Sequence, residues 1–438
     1  MKKTTKSKAK ERVDILILNA EELLTLTSDS TRPRTGSQMR ELGIIHDGAL
    51  AVQEGRIIAA GKTPELTKVF KSENVLNARG KTVLPGFVDP HTHLVFAGSC
   101  EEEFEARLET ASSSEVQSCV SVIEAIKETR KARLEKLVDF GLDRLDAMLA
   151  HGTTTVEAKS GYGLTTEAEL RILEATRRLN QLHSVNVIST FLGAHTVPPE
   201  YRGNPAEYVA LIVGEMIPAV VERGLAEFCD VSCERDTFNF EQARHVLETG
   251  KKHGLKPKIH ADKLSTLGGA EIAADVEAVS AEHLLFASVE GIKAMAEKGV
   301  VAVLLPAAAF SMNAKRYANA RLMIDSGLPV ALGTDCSPRC WVENQQLVMA
   351  MACNCMGMTP AEAITAATIN AAHAVNRASE VGSLEVGKRA DITILNVPNH
   401  NFLGYRYGVN LVDKVVKNGR IVVDREKQDE PVFRSETE

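Results

Sequence analysis

The chain has 438 residues, of which 44% are hydrophobic and 25% charged, a globular balance that excludes disordered, collagen-like and coiled-coil architectures. At roughly 100–200 residues per domain, this length holds either several domains or one barrel-sized domain with an appendage. The 51 basic and 58 acidic residues leave a net charge of −7, which argues against a general nucleic-acid binder, because phosphate recognition needs a basic surface, and favours a small-molecule function.

Residues 1–12 read as a basic N-terminal tail. The stretch Val13–Asn19 that follows is too short and too polar-flanked for a signal-peptide core, and no run approaches the roughly 18 apolar residues of a membrane span. A cytoplasmic protein without membrane contact is therefore expected. Residues 13–82 read as β: Leu50–Gln53 and Arg56–Ala60 flank a Glu54-Gly55 turn, the signature of a hairpin. The same pattern returns near the C-terminus in Asp391–Leu395 and in Val415–Val423, which turns at Asn418-Gly419. Neither terminal segment has enough strands to close a core alone, so 13–82 and 384–430 are expected to combine into one small β-sandwich.

Between them, residues 83–383 alternate short apolar strands with amphipathic helices, the pattern of parallel βα units. The strand candidates are Phe87–His93, Thr153–Ala158, Asn186–Phe191, Glu227–Ser232, Lys256–Ile259, Val279–Ala281, Val300–Leu305 and Pro329–Leu332, with helices such as Glu167–Leu182, Phe240–His253 and Pro360–Val375. This rhythm predicts a (β/α)8 TIM-like barrel. A doubly wound sheet is the alternative, but no Gly-x-Gly-x-x-Gly or phosphate loop follows any strand. The eight cysteines include Cys229/Cys233, Cys336/Cys340 and Cys353/Cys355. They form neither a disulfide framework nor the Cys-x2-Cys pairs of a structural zinc site, and are read as reduced thiols.

In such a barrel the chemistry sits at the C-terminal ends of the strands. The first strand leads into His91-Thr92-His93, the second into Lys159–Leu164, the third into His195, the fifth into His260, the sixth into His283 and the eighth into Asp335. Two residues apart on a strand, His91 and His93 point to one face. With His260 and Asp335 they supply three neutral nitrogen donors and one carboxylate, a set suited to one Zn2+ or Fe2+ with a position left for water. One ion per chain is expected, because the fourth strand end, Asp230–Glu234, offers no lysine to bridge a second; a carbamylated Lys159 is the fallback. His195 and His283, taken singly, read equally well as packing residues. His46, His151, His183, His245, His253, His373 and His400 fall on predicted helices or loops and read as structural.

The stretch Leu84–His93 resembles the first-strand motif of the amidohydrolase superfamily, and Gly382–Asp391 resembles its return into the β-sandwich. More narrowly, Asp89–Gly98, Lys159–Leu164, Gly193–Pro198 and Ala366–Ala374 are similar to the imidazolonepropionases, a family of histidine degradation that opens the imidazolone ring. The resemblance implies His91, His93, His260 and Asp335 as metal ligands and Tyr162, His195 and His283 as lining of the substrate pocket. It also implies that metal-activated water attacks the ring, with Asp335 as base, His283 polarising the carbonyl or holding the nucleophile, and dimerisation through the barrel helices. The chain departs from the family at Cys100, where arginine is usual; at Lys263, where the family has glutamate; at Cys336-Ser337-Pro338; and at Ser118–Ser121, near the place of a triple-glycine loop. Lys263 and Arg339 are the new cations that would take a small anionic cyclic substrate, with Cys100 and Ser337 beside them. Three readings stand: hydrolysis of 4-imidazolone-5-propanoate; a divergent amidohydrolase acting on another small anionic heterocycle or acyl-amino acid; and a binding protein that keeps the fold without turnover.

Overall fold

The computed structural model describes residues 10–27, 31–109, 120–235 and 237–428. The expected tail therefore lies outside them up to residue 9, as do Ser118 and Cys119 and the last two residues of 384–430. Eight parallel strands follow one another around a barrel: β1 Phe87–Asp89, β2 Thr153–Lys159, β3 Asn186–Ala194, β4 Phe228–Cys233, β5 Lys256–Ala261, β6 Ser280–His283, β7 Val301–Leu304 and β8 Val330–Leu332. Each pairs with the next, as in Val156 beside Val187 and His260 beside Glu282. The seam between β8 and β1 closes at the C-terminal mouth, where Thr92 bridges Cys336, His93 N–H donates to the Cys336 carbonyl (2.8 Å) and Asp335 N–H donates to the His91 carbonyl (3.0 Å).

The strands are buried on both faces, which is why Val301–Leu304 and Val330–Leu332 read as apolar runs rather than as alternation; β2 is buried along its whole length although it carries Glu157 and Lys159. Helices cover the outside. Thr166–Leu182 is started by Thr165, whose hydroxyl accepts from Ala168 N–H, and it buries Ile172, Leu173, Ala175 and Leu179. Phe240–Lys252 begins with a capping box between Asn239 and Gln242. No described helix is long and apolar enough to cross a membrane.

Two expected elements differ. Pro360–Val375 is not one helix but two, Pro360–Ala366 and Ile369–Ala374. The Ala367 carbonyl accepts from Val88 N–H of β1 (2.9 Å) instead of continuing the helix, and Thr368 takes a non-helical φ of −129°. The first strand also stops at Asp89, before the two histidines. Pro90 has no N–H for the ladder and ends it.

Strands from the two ends of the chain share one six-stranded sheet, in which Ile392–Leu395 lies between Thr82–Pro85 and Val412–Lys417. A second sheet of four strands carries the hairpin Gly48–Gln53 and Arg56–Lys62. Leu23, Leu50, Val52, Val83, Ile392 and Val416 fill one core together.

Candidate active site

Although His91 and His93 lie beyond β1, the segment keeps an alternating pattern: the Thr92 hydroxyl turns away to donate to the Glu157 carbonyl (2.6 Å), and the two imidazoles enter the mouth. Asp89 ties the two ligand-bearing loops together. Its buried carboxylate accepts from Thr334 Oγ1 (2.6 Å), Thr334 N–H (3.1 Å) and His91 N–H (3.4 Å), and burial, outweighing those bonds, pushes it up to about 7. Asp335 and His283 reach the mouth through left-handed backbone, with φ of +56° and +71°. Such conformations are uncommon for residues other than glycine, although Asp and His adopt them more readily than most, and they persist where the surroundings hold them.

Four expected ligands converge. Asp335 Oδ1 lies 3.3 Å from His91 Nε2 and 3.7 Å from His93 Nε2. The His91 and His260 rings are 4.6 Å apart, and His260 and His283 are 5.3 Å apart. His91, His93 and Asp335 each place one donor atom within 4.8 Å of the others, as do His91, His260 and His283, and His93, His195 and His260. Burial is nearly complete: His91 and His283 are 0% exposed and Asp335 5%.

The chemistry of this donor set fits a divalent metal ion. Both ring nitrogens of His91, His260 and His283 are buried without an aligned hydrogen-bond partner, a costly condition for polar atoms unless a cation meets them. Burial, with the neighbouring positive groups, holds His93, His260 and His283 well below the ordinary histidine range, and a neutral imidazole is the ligand form. At His91 burial is opposed and outweighed by Glu282 and Asp335, which raise the ring to about 9. Burial also opposes the ionised Asp335, but His91 and then Lys263 hold it below the usual carboxylate range.

The remaining expected residues surround this centre. His195 stacks on His93 (4.7 Å), and its Nδ1–H donates to the Gly161 carbonyl (3.0 Å), leaving Nε2 for the mouth; burial pushes it down to about 4. Gly161 has φ +109°, and a Cβ there would lie 2.9 Å from the His195 Cβ. Tyr162 stands edge-on to His93 (5.3 Å) and bonds the Ser337 hydroxyl; burial, then Asp335, raise its phenol. Buried Ser337 also accepts from Cys340 N–H (3.2 Å). Half-buried Cys100 lies within electrostatic range of Tyr162.

Lys263 feels Asp335, Arg339 and Glu234, and burial lowers its ammonium. Its backbone N–H donates to Glu234. Arg339 lies 3.8 Å from Glu103 of the helix Glu101–Glu109 and is about one-third exposed, at 32%. The described cysteines are free thiols and none belongs to a group of potential metal donors; burial pushes Cys340 up to about 12.

Below the imidazoles lies a set of buried charges, Glu157, Lys159, Asp230, Lys258 and Glu282, all 1% exposed or less, of which the sequence singles out only Lys159, as a fallback metal bridge, and Asp230, as part of the fourth strand end. The signal was available. Lys258 stands two residues before His260 and Glu157 two before Lys159 on the same strand, so each pair shares one face.

The chain matches the amidohydrolase family profile over residues 82–422. An imidazolonepropionase from Geobacillus sp. (strain WCH70) is 53% identical over 415 residues, 93% of this chain and 98% of that protein. One from Alkaliphilus metalliredigens (strain QYMF) is 48% identical over 417 residues, 94% and 99% of the two chains. Among solved structures, an adenosine deaminase from Xanthomonas campestris with bound zinc superposes with a TM-score of 0.64 at 18% identity, covering 95% of this chain and 94% of its own. A triazine hydrolase variant gives 0.70 at 17% identity, covering 94% and 95%; both likenesses concern the fold alone. By its profile match and by relatives of about half-identical sequence over nearly its whole length, the chain belongs to the amidohydrolase family.

Proposed function

We propose that this chain is a metal-dependent hydrolase that opens a ring C–N bond of 4-imidazolone-5-propanoate. The observation that supports it most is the convergence of His91, His93, His260 and Asp335 at one buried mouth, with unpartnered nitrogens on His91 and His260, in a chain about half identical to named imidazolonepropionases. Those four residues would hold one divalent ion, Zn2+ or Fe2+. When bound, such an ion supplies Lewis acidity that activates water at neutral pH.

The chain's own residues do the rest. Asp335, whose carboxylate lies near the Lys263 ammonium, accepts the proton of the attacking water. His283 hydrogen-bonds the carbonyl oxygen as negative charge develops there, an interaction worth a few kcal/mol per donor. Tyr162 and His195, in edge contact with each other (5.2 Å), orient the ring from one side. Water adds to the carbonyl carbon, the ring C–N bond breaks, and the proton passes to the leaving nitrogen. Lys263 and Arg339 take the substrate carboxylate in place of an arginine at position 100, and Cys100 and Ser337 line the same side.

Turnover of 4-imidazolone-5-propanoate by the zinc- or iron-loaded protein, followed by loss of ring absorbance, tests this reading. A second reading, a different small anionic heterocycle, is favoured by Lys263, which sets a cation beside Asp335. Efficient turnover of the imidazolone excludes it; turnover only of another anionic cyclic amide selects it.

A further inference from the structure

The five buried charges beneath the donors take no part in the chemistry above, yet they are arranged. Lys159 Nζ lies 2.8 Å from Asp230 and 3.1 Å from both Glu157 and Glu282. Lys258 Nζ lies 2.7 Å from Glu157 and 3.3 Å from Glu282. Three carboxylates thus meet two ammonium groups, and the excess negative charge is turned toward the mouth. Glu282 Oε2 stands 3.0 Å from His91 Nδ1 and 3.3 Å from His260 Nδ1, while Asp230 Oδ2 stands 3.1 Å from His260 Nδ1; these are close charge contacts, and neither ring nitrogen makes an aligned hydrogen bond. His93 is held differently, with Nδ1 3.4 Å from the Ser160 carbonyl.

We infer that Glu282 and Asp230 are positioning residues that fix His91 and His260 with the proton on Nδ1 and the lone pair on Nε2, and that Lys159 and Lys258 hold those two carboxylates in place. A carboxylate against one imidazole nitrogen sets the tautomer and raises the donor strength of the other. The geometry has that sense, because the opposite nitrogen of His91 faces Asp335. Glu282 serves both rings: it sits beside His260 in the β5–β6 ladder and reaches across to His91. A buried lattice with unmatched negative charge is destabilising by itself, and a cation at the mouth is what offsets it. Lys159, clasped by three carboxylates as an ammonium, lacks the free amine that a bridging carbamate requires, so the lattice serves one ion rather than two.

This inference rests on the metal-binding reading, and the test separates the two. Zinc affinity of the full-length protein is measured by competition with a chromophoric chelator, with circular dichroism and thermal midpoint recorded on the same samples. Glu282→Gln and Asp230→Asn are each expected to fold and to bind zinc about 10- to 100-fold more weakly, the range for lost outer partners of metal ligands. The double variant Lys258→Met/Glu282→Gln removes one charge of each sign; it is expected to regain thermal stability but not zinc affinity. Zinc affinity within about threefold of wild type in either folded single variant, or its full recovery in the double variant, overturns the inference and leaves the lattice a charge-pairing core. Should Glu282→Gln not fold, Glu282→Asp keeps the charge but withdraws it from His91, and unchanged zinc affinity there overturns the inference equally. A wild-type protein that binds no zinc overturns the metal reading and this inference with it.

Discussion

Asp335→Asn is the substitution that most sharply separates chemistry from folding. Asp335 occupies a left-handed φ of +56°, a conformation that asparagine tolerates better than almost any residue except glycine, so the backbone keeps its shape. The amide fills the same volume and still presents an oxygen toward His91. What it removes is a unit negative charge 3.3 Å from His91 Nε2 and 3.7 Å from His93 Nε2, together with the proton acceptor. Removing a positioned proton acceptor costs about 10²- to 10⁴-fold in rate, so kcat should fall at least about 10²-fold, the equivalent of about 2.7 kcal/mol. The assay is kcat on the metal-loaded variant at matched metal content, with circular dichroism to verify the fold. Activity within about tenfold of wild type would refute the assignment of Asp335 as base.

Lys263→Ala, alone and with Arg339→Ala, is expected to raise KM for the anionic substrate more than it lowers kcat, since a cation on a non-reacting carboxylate acts on ground and transition states alike; unaffected KM in the double variant removes both from the substrate site. Gly161→Ala should cut kcat/KM by at least about tenfold, because its Cβ meets His195 at 2.9 Å on a backbone of φ +109°, and an unchanged kcat/KM would show that His195 need not hold this position. His373, pushed down to about 4 by burial and then by Lys388, has a folded value below its unfolded one. Its neutral form therefore stabilises the protein above about pH 6.5, and that contribution is lost as pH falls from about 6.5 to 4. His373→Gln should flatten this part of the acid limb of the thermal midpoint, and an unaltered slope would contradict the assignment.

The barrel was legible because parallel strands covered on both faces are rich in apolar residues, and because reactive groups cluster at their C-terminal ends. Phe87, Val156, Ile259 and Val303 carry the first signal, and His91, His195, His260 and His283 the second. The hairpin turns at Glu54-Gly55 and Asn418-Gly419 marked strands that meet from opposite ends of the chain. What stayed hidden was set by tertiary contacts. The break at Ala367 depends on a backbone donor from Val88, far away in sequence, and Thr368 itself carries no strong stop signal. Lys159 reads from sequence only as a candidate metal bridge, because two of its three carboxylate partners, Asp230 and Glu282, arrive from β4 and β6. Asp89, two residues before His91, read as part of a motif, although its role is to clasp Thr334 across the barrel seam.

The most direct test of the central claim is a single titration: the protein is stripped with a chelator, reloaded stepwise with Zn2+ or Fe2+, and assayed at each step with 4-imidazolone-5-propanoate, the product identified by mass as the substrate plus one water. Ring opening that is absent in the stripped protein, rises with added ion and saturates at one equivalent per chain is the predicted result. Saturation at two equivalents, turnover that persists without metal, or a fully loaded protein that leaves the ring intact would contradict it.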